Sequence, residues 1–186
     1  TKEIAHDVYI IDTIPDYDND GTPDMAFVNN VSVNNEDFYY HVGPITASAP
    51  TFDPQDPTSN GWTASPVGTV AYVAILIGDL PGNAGPYSPR ITLAAIDPDN
   101  GNNIPAGVAL TNSATIYTSS IETTDTDNTG TATTSTPGID LTIDKKGNPE
   151  GGFPGVAPGD PITYSITIGN SGSVDACGVY VTDTFS

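Results

Sequence analysis

The stretch DYDNDGTPD, Asp16 to Asp24, sets carboxylates at alternate positions around a glycine. Counted as a calcium loop, Asp16, Asp18 and Asp20 take its first, third and fifth places. Gly21 permits the tight turn, Thr22 offers a carbonyl and Asp24 follows two residues on. Ca²⁺ asks for six to eight hard oxygens, and this spacing wraps them around one point. An EF-hand would close with a bidentate Glu where Phe27 stands. The loop is therefore closer to the shorter calcium repeats of extracellular proteins, and another segment must complete the shell. Asp12, Asp37, Asp53 and Asp56 are the candidates, and a solvated Asp/Gly turn is the plain alternative. A sparser set of the same kind lies in DPDNGNN, where Asp97 and Asp99 are the candidate ligands. There a polar hairpin turn with Asn-Gly at its tip is the favoured reading.

Other chemistry finds little support. His6 and His41 have no Cys or His at ligand spacing, and there is no G-x-S-x-G, H-E-x-x-H or phosphate loop. The expectation is a protein that is not an enzyme. Asn30, in Asn-Val-Ser, is a candidate glycosylation acceptor. Trp62 with Tyr39, Tyr40 and Tyr72 could form a sugar-stacking platform, against which ordinary packing is the simpler reading. Cys177 is the only cysteine, so no intrachain disulfide can form, and it reads as a small buried residue.

The 186 residues carry 23 acidic against 4 basic side chains, a net charge of −19. Such a surface repels nucleic acid and anionic membranes, and it suits a milieu rich in divalent cations. The longest apolar run, VAYVAILIG, is far short of the roughly 20 residues of a spanning helix. No secretory signal opens the chain, so an exported protein would be seen here as a mature form or an excerpt.

The elements that must position these residues are strands. Thr, Val, Ile and Tyr dominate, with Gly, Pro, Asn and Asp as punctuation. In PITYSITIGN, Ile162, Tyr164, Ile166 and Ile168 fall on one face of a half-buried antiparallel strand. SPRITLAAID and GVALTNSATIYTSS read as further strands. GTVAYVAILIGDL, apolar on both faces, is either a central strand covered twice or an interface strand. TSSIETTDTDNTGTATTSTPG reads as a strand end running into an exposed connector.

The chain also repeats itself. ACGVYVTDTFS, residues 176–186, matches AHDVYIIDTIP, residues 5–15, with Ala, Val, Tyr, Asp and Thr in register. IDLTIDKKG, PGDPITYSITIGNSG and ACGVYVTDTFS, in that order, resemble the opening of an Ig-like repeat family of bacterial and archaeal surface proteins, catalogued as domain of unknown function eleven. Pro158, Gly159, Asp160, Tyr164, Asn170, Gly172, Val179, Val181, Asp183 and Thr184 sit on its motif positions. AHDVYIIDTIP is similar to its third strand, VAYVAILIGDLPGNAGPYSPRITLAAI to a later strand, turn and strand, and IPAGVALTNSATI, with Asn112 and Ala114, to its closing strand. The stretch from Asp16 to Ser65 departs from the family pattern.

The resemblance implies an Ig-like antiparallel β-sandwich that is out of phase with its repeat. Residues 1–136 would supply the later strands of one sandwich with the Asp-rich insertion, and residues 137–186 the first strands of the next. A neighbouring repeat or subunit would then complete each sandwich, whether within one tandem array or between separate chains. The implied function is a structural protein of the extracellular cell surface. Its sandwiches would join end to end into a filament, stalk or fibre, with Ca²⁺ as the bound ion. Its partners would be copies of itself and, in the alternative reading as an adhesin or carbohydrate-binding module, cell-surface glycans. Nucleic-acid binding and membrane insertion of this segment are not expected.

Overall fold

A computed structural model of the chain describes residues 3–148, 157 and 159–184. Among them every regular element is a strand: β1 Ile4–Thr13, β2 Ala26–Val31, β3 Asp37–Val42, β4 Trp62–Thr63, β5 Val70–Pro81, β6 Arg90–Ala94, β7 Ala109–Tyr117, β8 Thr129–Ser135, β9 Leu141–Asn148 and β10 Thr163–Asn170. Among the described residues no helix is long and apolar enough to cross a membrane. The chain forms two compact units, Thr1–Thr136 and Pro137–Ser186.

In the first unit a six-stranded sheet runs β4-β3-β5-β1-β7-β8, and β2 pairs with β6 in a second sheet. Every pairing is antiparallel. β5 is the strand the sequence left open, and it is central, buried from Val70 through Ile75 between β3 and β1. Its two apolar faces serve two cores. On one side Val73 and Ile75 join Ile14 and Tyr40 beneath Phe27, Ile91 and Leu93 of the small sheet. On the other, Tyr72 and Ala74 pack with Ile11, Phe52 and Trp62. Phe52 comes from the irregular segment between β3 and β4, so the turn-rich stretch read as a loop is also a lid on the sheet.

That lid decides the fate of the aromatic residues. Trp62 and Tyr72 are buried, Trp62 meets Phe52 edge-on at 5.3 Å, and its indole N–H donates to the Thr51 carbonyl at 3.0 Å. Tyr40 is buried in the opposite core. The Trp62, Tyr40 and Tyr72 rings are therefore core, and no sugar-stacking platform forms from them. The hydroxyl-rich connector also differs from expectation. Its part Thr129–Ser135 is a fully exposed edge strand, β8, paired with β7. Thr111 and Thr133 meet through their hydroxyls at 2.8 Å, and Thr115 and Thr129 at 2.9 Å. Cross-strand Thr pairs thus stand in for the missing apolar alternation.

The second unit is a β9–β10 hairpin, in register from Thr163↔Asn148 to Asn170↔Leu141. The Asn-x-Gly of the sequence motif has a mechanical role here. Asn170 Oδ1 accepts from the Asp140 and Gly172 backbone N–H groups, while its Nδ2 donates to the Val174 carbonyl. A Cβ on Gly172 would strike the Gly138 carbonyl, so only glycine passes. The expected third strand around Val179–Phe185 does not form over its described part, residues 179–184. Among the described residues, 175–184 make no ladder with the hairpin. Sequence repetition with Val8–Ile14 is therefore not matched by a repeated strand position. Cys177 in the same segment is exposed rather than buried. Pro158 and Phe185 lie outside the described residues.

Candidate metal centre

The Asp-rich loop hangs between β1 and β2. Ile14, fully buried, fixes its entry, and its ends are tied where the Asp24 N–H donates to the Pro15 carbonyl at 2.8 Å. Between them the backbone takes the left-handed turns that Asn19 (φ 59°) and Gly21 (φ 90°) tolerate. The Gly21 carbonyl accepts from the Ile45 N–H at 2.7 Å, which docks the loop on the segment following β3.

This path brings Asp16, Asp18 and Asp24 together, each offering a carboxylate oxygen within 4.8 Å of the others. Backbone donors orient them. The Gly21 N–H reaches Asp16 Oδ2 at 3.0 Å, the Tyr17 N–H reaches Asp24 Oδ2 at 2.6 Å, and the Asp20 N–H reaches Asp18 Oδ1 at 3.2 Å. Asp16 Oδ1 is buried with no hydrogen-bond partner, an oxygen with no donor to satisfy it. Burial pushes the Asp24 carboxyl up, and the charges of Asp18 and Asp16 add to that against the Tyr17 N–H. Three hard oxygens held this close repel one another, and a divalent cation relieves that repulsion. The donor set thus fits Ca²⁺ in kind and in its unsatisfied atom.

Asp20 stands apart from the cluster, turned onto Thr22. Asp20 Oδ1 accepts from the Thr22 hydroxyl at 2.5 Å and its N–H at 2.8 Å, and the hydroxyl contact foremost holds the carboxyl below its usual range. They brace the turn of the loop. Of the candidates for completing the shell, none joins the cluster among the described residues. Asp12 lies buried on β1, Asp37 begins β3, and Asp53 caps the turn at Gln55. Asp97 and Asp99 form the hairpin alternative. Asp97 accepts from the Asp99 N–H at 2.8 Å and from the Asn100 amide, and an Ile96↔Asn103 bridge closes the turn. Asn30 is half-buried on β2 and its Nδ2 donates to the Tyr40 hydroxyl at 2.6 Å, so the nitrogen a glycan would need is already engaged.

Two features escaped the sequence reading. Glu36 is buried and gathers the Ser32 hydroxyl and the Val33 and Asn34 N–H groups on one oxygen, at 2.8–2.9 Å. Asp12 is 8 % exposed and accepts from Asn112 Nδ2 at 3.0 Å, while Asp12 Oδ1 and Asn112 Oδ1 are both buried without a partner. The repeated Asp-Thr and the Asn-x-Ala pattern were the only signals of that pair. The chain matches no family model, no curated protein and no solved structure.

Proposed function

We propose that this is a structural protein of the extracellular cell surface, whose Ig-like sandwiches are completed by strands from a neighbouring copy and so join end to end into a filament. The observation that carries the reading is a pair of largely exposed apolar faces. On the hairpin, Ile143 and Leu141 of β9 face the same way as Tyr164, Ile166 and Ile168 of β10, and all five are between 39 % and 63 % exposed. On the first unit, an open groove is lined by Ile4, Ile10, Ile77, Leu80 and Ile116. Ile10 and Ile116 stand opposite each other in the sheet, so the groove continues the face that bears the core of Ile14, Tyr40, Val73 and Ile75. An isolated two-stranded hairpin is marginal in water, and large exposed apolar patches mark contact surfaces. At about 25 cal/mol per Å² of apolar surface, covering five such side chains is worth several kcal/mol, comparable with the net stability of a small domain.

In this reading Ca²⁺ at Asp16, Asp18 and Asp24 stiffens the β1–β2 connection of each sandwich. The acidic surface keeps filaments soluble while the ion neutralises one local concentration of charge. Light scattering on the full chain across a concentration series, with calcium and with chelator, tests the proposal. Stepwise growth in mass is expected; a monomer at every concentration in calcium would refute it.

A further inference from the structure

We propose that the chain carries a binding site for neutral saccharides at the β7–β8 connection, with Tyr117 as its stacking platform, whether or not copies assemble. The rings expected from the sequence to form such a platform are core, but a row of aromatic side chains leads from them to the surface. Phe52, edge-on to Trp62, lies 5.0 Å from the Tyr9 ring. Tyr9 in turn stacks on Tyr117 at 5.1 Å, the two planes 17° apart. Tyr117 ends the row and is 36 % exposed. A ring held in this way offers a large amphipathic surface at little further cost in conformational entropy.

Tyr117 is one wall of a cavity of about 480 Å³. Polar side chains make up most of the rest, Thr118, Ser120, Glu122, Asp125 and Asn128 among them. The loop that carries them is tied at both ends. The Ile116 N–H donates to the Asn128 carbonyl at 2.9 Å, and the Thr118 hydroxyl donates to the His6 carbonyl on β1 at 2.7 Å. The His6 N–H donates back to Ser120 Oγ at 2.9 Å. Asn128 Nδ2 donates to Glu122 Oε2 at 2.9 Å, which sets an amide and a carboxylate side by side in the wall.

A sugar ring matches this set of groups. Its C–H face is apolar and packs on an aromatic ring, while its hydroxyls donate to carboxylates and accept from amides. Glu122 and Asp125 supply strong acceptors, and with the net charge of −19 they turn anionic sugars away. The neighbouring surface points the same way. β7 and β8 carry no charged residue, in a chain with 23 acidic ones. Thr111, Ser113 and Thr115 of β7 stand opposite Thr133, Thr131 and Thr129 of β8, and strand alternation puts Tyr117 on their face. A neutral hydroxyl strip leading from the cavity suits a chain of neutral sugar units, whereas a polycation would find no carboxylate along it.

The test is saturation-transfer NMR on the dilute full chain, with glucose, galactose, mannose and N-acetylglucosamine as probes. Transfer to the ring C–H protons of at least one of the four is expected, with a millimolar Kd that persists in about 1 M salt. Tyr117→Ala should abolish it, and Glu122→Gln should weaken binding about tenfold. Tyr180→Ala, at an 87 % exposed position of the second unit, should leave it unchanged. Urea unfolding followed at Trp62 shows whether each variant folds, and Glu122→Gln decides the matter if Tyr117→Ala does not. No transfer to any of the four sugars overturns the proposal, as does binding that survives these substitutions in folded protein. Binding of free lysine instead, lost in salt, also overturns it and makes the cavity a cation site.

Discussion

Replacing Asp12 with Asn should stabilise the dilute chain at neutral pH and flatten its pH dependence. Burial, opposed by the hydrogen bond from Asn112, pushes the Asp12 carboxyl up from 3.8 to about 6. A group raised in the folded state contributes stability that is full below its unfolded pKa and lost as pH rises through the folded one. The window is therefore from about pH 4 to just above pH 6. A shift of about two units at ~1.4 kcal/mol each amounts to ~3 kcal/mol, an order-of-magnitude figure for the cost of ionised Asp12. Asp12→Asn cannot ionise, and its amide brings the donor that Asn112 Oδ1 lacks. Trp62, the only tryptophan, is buried in the same unit and reports its unfolding by fluorescence. Urea unfolding of both proteins from pH 4 to 8, dilute and with chelator, gives the difference in stability at each pH. Taking the difference cancels the other carboxylates. It should grow by ~3 kcal/mol in favour of Asp12→Asn. A difference that stays constant with pH would refute the assignment of a burial-raised acid.

Two further outcomes follow from the same geometry. Calorimetry should find one calcium site with a Kd on the order of 10⁻⁴ to 10⁻³ M. Asp18→Asn should abolish it while Asp97→Asn leaves it intact, and equal loss in both would disprove the three-Asp centre. Glu36→Gln should destabilise the chain at pH 7, with the effect fading in acid. Burial alone would raise this carboxyl, but the Asn34, Glu36 and Val33 N–H groups and the Ser32 hydroxyl outweigh it and hold it at about 2 instead of 4.5. Its stabilisation is thus present above about pH 4.5 and lost as pH falls toward about 2. A pH-independent effect in urea unfolding would count against it.

Strands with a strong pattern were legible before the structure. Ile162–Ile168 alternates cleanly, and the doubly apolar Val70–Ile77 could only be central or interfacial; its place in the middle of six strands follows from pairing with β3 and β1. β2 and β3 were hidden because AFVNNV and DFYYHV sit in an Asp-rich stretch without clean alternation, and their burial comes from distant partners such as Leu93 and Ile75. β8 was hidden because neither of its faces is covered. The expected strand at Val179 was misread: its residues favour a strand, but they pair with neither open edge of the β9–β10 hairpin. At the metal centre, spacing alone could nominate Asp16, Asp18 and Asp24. Only the backbone donors show that Asp20 is turned onto Thr22. The Asp12–Asn112 pair lies a hundred residues apart in sequence, beyond any local pattern.

Amide exchange over Thr163–Asn170 in the full chain, measured dilute and then concentrated in calcium, addresses the account's central claim that a neighbouring copy completes the hairpin. Half the N–H groups of β10 face away from β9 on an open edge, and the Ile166 and Ile168 side chains face water. The account predicts fast exchange along β10 in the dilute monomer and strong protection once the chain assembles. Slow exchange in the dilute monomer would contradict it, as would fast exchange within the assembled protein.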